Sequence, residues 1–380
     1  MRIADQWQDF EILDTSSGEK LERWGNTILI RPDPQVIWRP EKGPEWQKAD
    51  ARYNRSSAGG GSWQIYRSHP QFWTIGYRDL KFKISPTGFK HTGLFPEQAV
   101  NWDFFREKIE KAGRPIRVLN LFAYTGGATL ACAAAGAAVC HVDASKGMVA
   151  WARENQQLSG LGEKPIRWIV DDCQKFVERE IRRGSLYDGV IMDPPSYGRG
   201  PGGEVWKLED SVYDLVKLCA GVLTENPLFF AINSYTTGLS PSVMEYILNT
   251  TVSRRFAGKG TTFSSEIGLP VKATGCPLVA IAARTMLGQT LAEQGITEPT
   301  CREKEFWYVK APAFSFTKLD GMDAYLSPEM KSTGEAIGYD RRLNRALCKA
   351  IEASGVELKD HGVVIVTLAD EDKDEALPLA

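Results

Sequence analysis

The sequence predicts an α/β fold: an open, mostly parallel sheet preceded by a small β-rich unit and followed by an α+β tail. Two observations carry that prediction. From about residue 96 to 271, strand-like and helix-like runs alternate with short loops, the pattern of βαβ units. Successive strands there end in a glycine loop, Asn120 to Gly127, and then in acids at Asp143, Asp171, Asp172 and Asp193. Acids repeating at strand ends suit an open sheet that holds a nucleoside along its carboxyl edge.

Taken in order, residues 1 to 95 hold short strand-like runs, Thr27 to Arg31, Trp63 to Tyr66, Phe72 to Tyr77 and Phe82 to Ile84, separated by Pro, Gly and Ser. The sheet strands of the 96 to 271 region are expected at Arg117 to Leu121, Ala137 to Val142, Arg167 to Val170, Gly189 to Met192 and Leu228 to Ile232. Beyond about residue 272 the pattern changes.

Composition sets limits. The chain has 380 residues, 43% hydrophobic and 25% charged, with a net charge of −2, an ordinary globular balance that leaves any nucleic-acid contact to local charge distribution. Its seven cysteines include no CxxC pair, so neither a zinc ribbon nor a disulfide frame is suggested and they read as reduced thiols. No apolar run reaches the roughly 20 residues of a membrane span, and the amino terminus has no apolar signal core. A cytoplasmic location without membrane contact is expected, and nothing encodes an oligomeric state.

The loop after the first sheet strand, Ala123 to Thr129, opens a small-residue helix, and Gly126 and Gly127 are expected to let the backbone pass close to a ligand. It does not fit GxGxxG, and no GxxxxGK[ST] occurs, so pyrophosphate cradling is not expected. Asp143, about 20 residues further on, is placed to accept from ribose hydroxyls. Asp172 can meet an adenine amine, while Asp171 can equally cap a helix. Asp193, Pro194, Pro195, Ser196 and Tyr197 then form a loop with rigid carbonyl acceptors and one π face, suited to a planar amine. A plain strand stop is the alternative.

These residues together resemble the class I S-adenosylmethionine-dependent methyltransferases, whose sheet is Rossmann-like, and most closely the branch of bacterial 23S rRNA large-subunit methyltransferases. The segment His91 to Gln98 is similar to the TGxxxxQ stretch preceding the first core strand of that branch. The resemblance spans about 90 to 271. It implies S-adenosyl-L-methionine as cofactor, with Gln98, Asn120, Phe122, Gly126 and Asp143 around its methionine and ribose parts and Asp172 near adenine. It implies Asp193, Pro194 and Tyr197 as the catalytic, acceptor-side residues, and RNA, ribosomal by family, as partner. Relatives that methylate cytosine carbon use a cysteine nucleophile. Here the run Ala231 to Thr237 holds none, so transfer to a base nitrogen is expected, because C6 attack on a pyrimidine needs that nucleophile. A non-catalytic RNA-binding protein is a rival reading.

Between residues 51 and 90, Arg52, Arg55, Arg67, Arg78, Lys81, Lys83 and Lys90 face one acid, Asp79. Tyr53, Trp63, Tyr66, Trp73, Tyr77 and Phe82 are interleaved. Cations with stacking aromatics suit looped RNA. An aromatic core beneath a solvated basic face is the equal alternative.

The tail, from Lys272 to Arg284 through Phe314 to Asp323, Pro328 to Glu335 and Asp370 to Lys373, resembles the carbamoyl phosphate synthetase large subunit. It corresponds to the end of an ATP-grasp unit and one strand, Val363 to Leu368, of the following regulatory domain. That family's metal ligands lie upstream of the matched part, so an inert fusion is expected and an ATP-binding synthetase role is a rival. The seam falls at Val271 to Gly275. A helix-like Pro277 to Leu291 there replaces the last core strand, so about Thr261 to Val271 is expected to lack its usual partner and the tail to pack loosely.

Overall fold

The computed structural model describes residues 2–56, 60–88, 90–199, 205–236, 239–257, 259–272, 307–313 and 334–354. The chain divides into two compact units, 1–283 and 284–380.

The first unit begins with a short strand, β1 (Arg2–Ile3), and a five-stranded sheet of β2 (Phe10–Ser16), β3 (Glu19–Trp24), β4 (Thr27–Pro32), β5 (Ala51–Arg55) and β6 (Gly61–Ile65) in that order. A hairpin of β7 (Trp73–Tyr77) and β8 (Leu80–Ile84) follows. Ser17 and Gly18 turn between β2 and β3 with φ of 54° and 77°, the backbone that matches a two-residue hairpin to strand twist. β2, β3 and β5 were not among the expected strands. Charged β3 hides its inward face, because Glu22 is fully buried and held by Arg31 of β4 at 2.5 and 2.9 Å. Burial would raise the Glu22 pKa, but Arg31, Lys20 and Trp24 outweigh it and bring it to about 2.

This β-rich part shares a core with two helices of the same unit. Phe10, Trp24, Ile75, Tyr77 and Phe82 pack into one cluster with Trp102 and Leu130, which belong to α1 (Ala99–Lys111) and α2 (Gly127–Ala134). The aromatics of the basic window therefore divide. Tyr53, Tyr77 and Phe82 are buried, whereas Tyr66 is exposed. Three of the seven cations are paired with acids from outside the window: Arg52 with Glu19, Arg78 with Asp103 and Lys83 with Glu154. The aromatic-core alternative holds for most of this stretch.

The second sheet is built of β9 (Arg117–Leu121), β10 (Ala138–Asp143), β11 (Ile166–Val170), β12 (Gly189–Met192) and β15 (Phe229–Ile232), all parallel, in the order β11-β10-β9-β12-β15. All five expected strands are present within a residue of their predicted limits. The interleaved helices are α2, α3 (Lys146–Leu158), α4 (Cys173–Arg182) and α5 (Leu208–Ala220), with α6 (Pro241–Leu248) after β15. A small hairpin, β13 (Tyr197–Arg199) with β14 (Val205–Lys207), follows β12. Order reverses between β9 and β12, so the crevice beyond their carboxyl ends is the natural ligand position.

The stretch before the seam does not lie unpaired. β16 (Ile267–Gly268) runs parallel to β1, and Val271 bridges Ile12. Part of the stretch expected to lack a partner is thus paired with the amino-terminal strands, Arg2 N donating to the Glu266 carbonyl at 2.8 Å and Ala4 N to the Gly268 carbonyl at 2.9 Å. The run Pro277 to Leu291, the strand Val363 to Leu368 and the tail segments 314–323 and 370–373 lie outside the described residues.

The second unit contains an antiparallel pair, β17 (Trp307–Ala313) and β18 (Gly334–Asp340), and α7 (Leu343–Ala353). A Cβ at Gly338 would collide with the Ala346 carbonyl of α7, so the helix rests directly on the pair.

Candidate functional site

The loop leaving β9 is shaped by three positive-φ residues, Phe122 (54°), Tyr124 (50°) and Gly126 (88°). Such backbone is strained for the two aromatic residues, and Asp143 at the end of β10 holds it in place. Its Oδ2 accepts from Tyr124 N at 2.9 Å and its Oδ1 from Ser145 N at 2.8 Å. Burial pushes the Asp143 pKa up, and the two backbone hydrogen bonds oppose that rise. Each oxygen keeps an acceptor site for a further donor, so the residue fits the vicinal hydroxyls of a ribose.

Gly126 and Gly127 are also required by packing. A Cβ on Gly126 would touch Ala152 of α3 at 3.0 Å, and one on Gly127 would lie 2.5 Å from the Trp102 ring. Both serve helix packing, and Gly126 also serves its left-handed φ. Gly127→Val is expected to lower stability by about 1–3 kcal/mol through overpacking, read as a lower midpoint in chemical denaturation.

The expected cofactor residues separate into two groups. Phe122, half-buried, Gly126, Asp143 and Asp172 stand at the carboxyl ends of β9, β10 and β11. Asn120 does not reach that edge. It is buried, and its amide donates to Thr129 Oγ1, which in turn meets His141 Nδ1, both at 2.9 Å. Gln98 is likewise buried and engaged at both ends: Nε2 donates to Tyr235, while Oε1 accepts from Asn101 and Asn233. Of the paired acids after β11, the helix cap falls to Asp172 and not to Asp171. Asp172 caps α4 by accepting from Lys175 N at 2.9 Å, whereas Asp171 pairs with Arg179.

On the other side of the crevice, Asp193 leaves β12 with its amide bonded to the Leu121 carbonyl. Its carboxylate meets no donor among the described residues, and burial, aided by nearby Glu97, pushes its pKa up to about 7. The two proline carbonyls differ. That of Pro195 accepts from Trp206 Nε1 at 2.7 Å, while that of Pro194 is taken by no described donor. Tyr197 lies on the β13–β14 hairpin opposite Lys207, half exposed. Sequence reasoning missed Glu97 and Tyr235, which bond each other at 3.0 Å and act electrostatically on or with Asp193. Their position next to Gln98 and after the fifth sheet strand was the available signal.

Among the described residues of the first unit every cysteine is buried. Cys173 accepts from Phe122 N and donates to the Val142 carbonyl. Burial also pushes the thiols of Cys132, Cys140, Cys173 and Cys219 up. Among the described residues no group of His, Cys, Asp and Glu could hold a metal, and no helix is long and apolar enough to cross a membrane.

Comparison with known proteins agrees with this geometry. The chain is similar to the crystal structure of an S-adenosylmethionine-dependent methyltransferase from Agrobacterium tumefaciens at 41% identity. That match covers 65% of this chain and 79% of the other, with a TM-score of 0.62. The fold is shared with a methyltransferase complexed with SAH, at 20% identity, 68% coverage of each chain and a TM-score of 0.54. It is shared equally with a methyltransferase from Streptococcus mutans, at 19% identity, 68% coverage of each and a TM-score of 0.53. A family model described as S-adenosylmethionine-dependent methyltransferase matches residues 42–239, taking in the second half of the β-rich part, the Asp143 edge and the Asp193 loop. An acid-ended open sheet with this match is an enzyme that uses S-adenosylmethionine, and the chain belongs to the S-adenosylmethionine-dependent methyltransferase family.

Proposed function

We propose that this methyltransferase acts on a base nitrogen of RNA, ribosomal RNA being the leading candidate. The observation that carries the nitrogen assignment is the pair of unclaimed acceptors at the end of β12, the Asp193 carboxylate and the Pro194 carbonyl. Two acceptors side by side suit the two N–H groups of a planar amine, orienting its lone pair toward the methyl group in line. When bound, the cofactor supplies an activated methyl on a sulfonium. Phe122, Gly126, Asp143 and Asp172 are assigned to hold it, and Asn120 and Gln98 to brace the strands around it. Tyr197 is assigned to the outer wall of the acceptor site.

For RNA the support is electrostatic. His91 is pushed down to about 4 by burial and by Arg31, Lys90, Lys20 and Arg55. Only part of that positive charge is balanced, by Glu22 and Asp33. His91 lies 5.2 Å from Phe95, which lies 5.4 Å from Tyr124 of the β9 loop. Of these cations Arg31 is buried in its pair with Glu22, and Lys90, Lys20 and Arg55 are left to suit a phosphate backbone.

The test is transfer of labelled methyl to total RNA, ribosomal subunits and bulk protein, followed by nucleoside mass spectrometry. An N-methylated base is expected, and Cys173→Ala is expected to retain methyl transfer, since no thiol adduct is required. A C5-methylated pyrimidine would reverse the nitrogen assignment, and label confined to protein would reverse the RNA assignment. We also assign the 272 to 380 region as a non-catalytic fragment of carbamoyl phosphate synthetase type, so no ATP hydrolysis by the whole chain is expected.

A further inference from the structure

Beyond Ile232 the chain runs alongside the loop that leaves β12. Two hydrogen bonds pin the segments together: Asn233 N donates to the Met192 carbonyl at 3.0 Å, and Thr236 Oγ1 to Ser196 Oγ at 2.7 Å. Tyr235 falls between these pins, on the segment held against the loop that Asp193 opens. Its hydroxyl is held from both sides. Gln98 Nε2 donates to it at 2.8 Å, and it donates to Glu97 Oε1 at 3.0 Å. Asn101 and Asn233 brace Gln98 in turn, each donating to Oε1, at 2.9 and 3.1 Å.

The ring is treated differently from the hydroxyl. It tilts against Phe95 with centroids 5.6 Å apart, yet Tyr235 stays 49% exposed. A core tyrosine would hide its ring, and a surface tyrosine would leave its hydroxyl to water. A ring half open to solvent with its polar end clamped is a presented surface.

We propose that Tyr235 is the platform on which the planar acceptor stacks, held by Glu97 and Gln98 so that the acceptor amine meets Asp193 and Pro194. The inference rests on the nitrogen-methylation reading and adds the surface that fixes the plane of the ring. Hydrogen bonds to the amine set the acceptor's rotation within its plane, and a stacking face sets the plane itself. In-line transfer needs both. Because every base has a π face, the platform supplies grip and orientation without choosing a base.

The experiment compares wild type with Tyr235→Leu, which keeps bulk without a π face, and Tyr235→Phe, which keeps the ring without the clamp. Cofactor affinity is measured by calorimetry, and kcat and KM on the acceptor that wild type methylates. Tyr235→Leu is expected to lose about 5- to 100-fold in kcat/KM, the range of one stacked base, with cofactor affinity within about twofold of wild type. Tyr235→Phe is expected to keep KM and lose mainly kcat. Unchanged transfer in Tyr235→Leu, or an equal loss of cofactor binding, overturns the platform. Whether wild type methylates RNA tests the function reading separately, since the platform is judged from the ratio of variant to wild type on the same acceptor.

Discussion

Asp143→Ala is expected to weaken S-adenosylmethionine binding by tenfold or more while the chain stays folded. Two contributions add. Charge-assisted hydrogen bonds from two ribose hydroxyls are worth about 1.5–3 kcal/mol each, and loss of the carboxylate also frees the β9 loop. Tyr124 N and Ser145 N would lose their acceptor, and Tyr124 at φ 50° would have less reason to keep a strained backbone. Asp143→Asn separates the two contributions. It keeps an acceptor for one backbone amide but loses the charge, so an intermediate affinity is expected. Calorimetric titration of both variants is the check, with circular dichroism to verify folding. Wild-type affinity in folded Asp143→Ala would remove the residue from the cofactor site.

The sheet was legible because its strands are short apolar runs bounded by loops, and because burial on both faces makes such runs continuous. Gly189–Met192 is buried at all four positions and reads directly as a strand. β3 was illegible for the opposite reason. Its alternation is hidden by Glu22, a buried acid that only its pairing with Arg31 explains, and that pairing is invisible before β3 and β4 are known to be neighbours. The site divides along the same line. Strand-end acids are local signals, so Asp143 and Asp193 could be found. Which of Asp171 and Asp172 caps α4 depends on one residue of register. The side chains of Asn120 and Gln98 depend on Thr129, Asn101 and Asn233, set by packing rather than spacing. The paired cations of the basic window went unrecognised because their acids, Glu19, Asp103 and Glu154, lie outside it.

Methyl transfer is expected to rise with pH through about 7 and level off above it, because the amine needs an ionised Asp193 as acceptor and its pKa is raised to about 7. Burial is the larger cause, and Glu97 is the facing negative charge. The Tyr235 phenol, which also feels the Asp193 charge, is pushed up and stays neutral through this range. Asp193→Asn should abolish the limb and lower kcat by roughly 10²–10⁴-fold, the usual loss of a positioned proton acceptor. Glu97→Gln should keep the limb but move it to lower pH. Stability must run the other way. An unfolded Asp titrates near 4 and the folded one near 7, so between these values the folded state binds more protons and stability falls as pH rises. A three-unit shift corresponds to at most about 4 kcal/mol, less here because solvent reaches part of the residue. Asp193→Asn should therefore melt higher than wild type at pH 8, with the gap closing toward pH 4 as the wild-type carboxyl becomes neutral. A flat pH–rate profile, or a melting gap that does not change with pH, would show that Asp193 is ionised throughout and that its burial carries no energetic penalty.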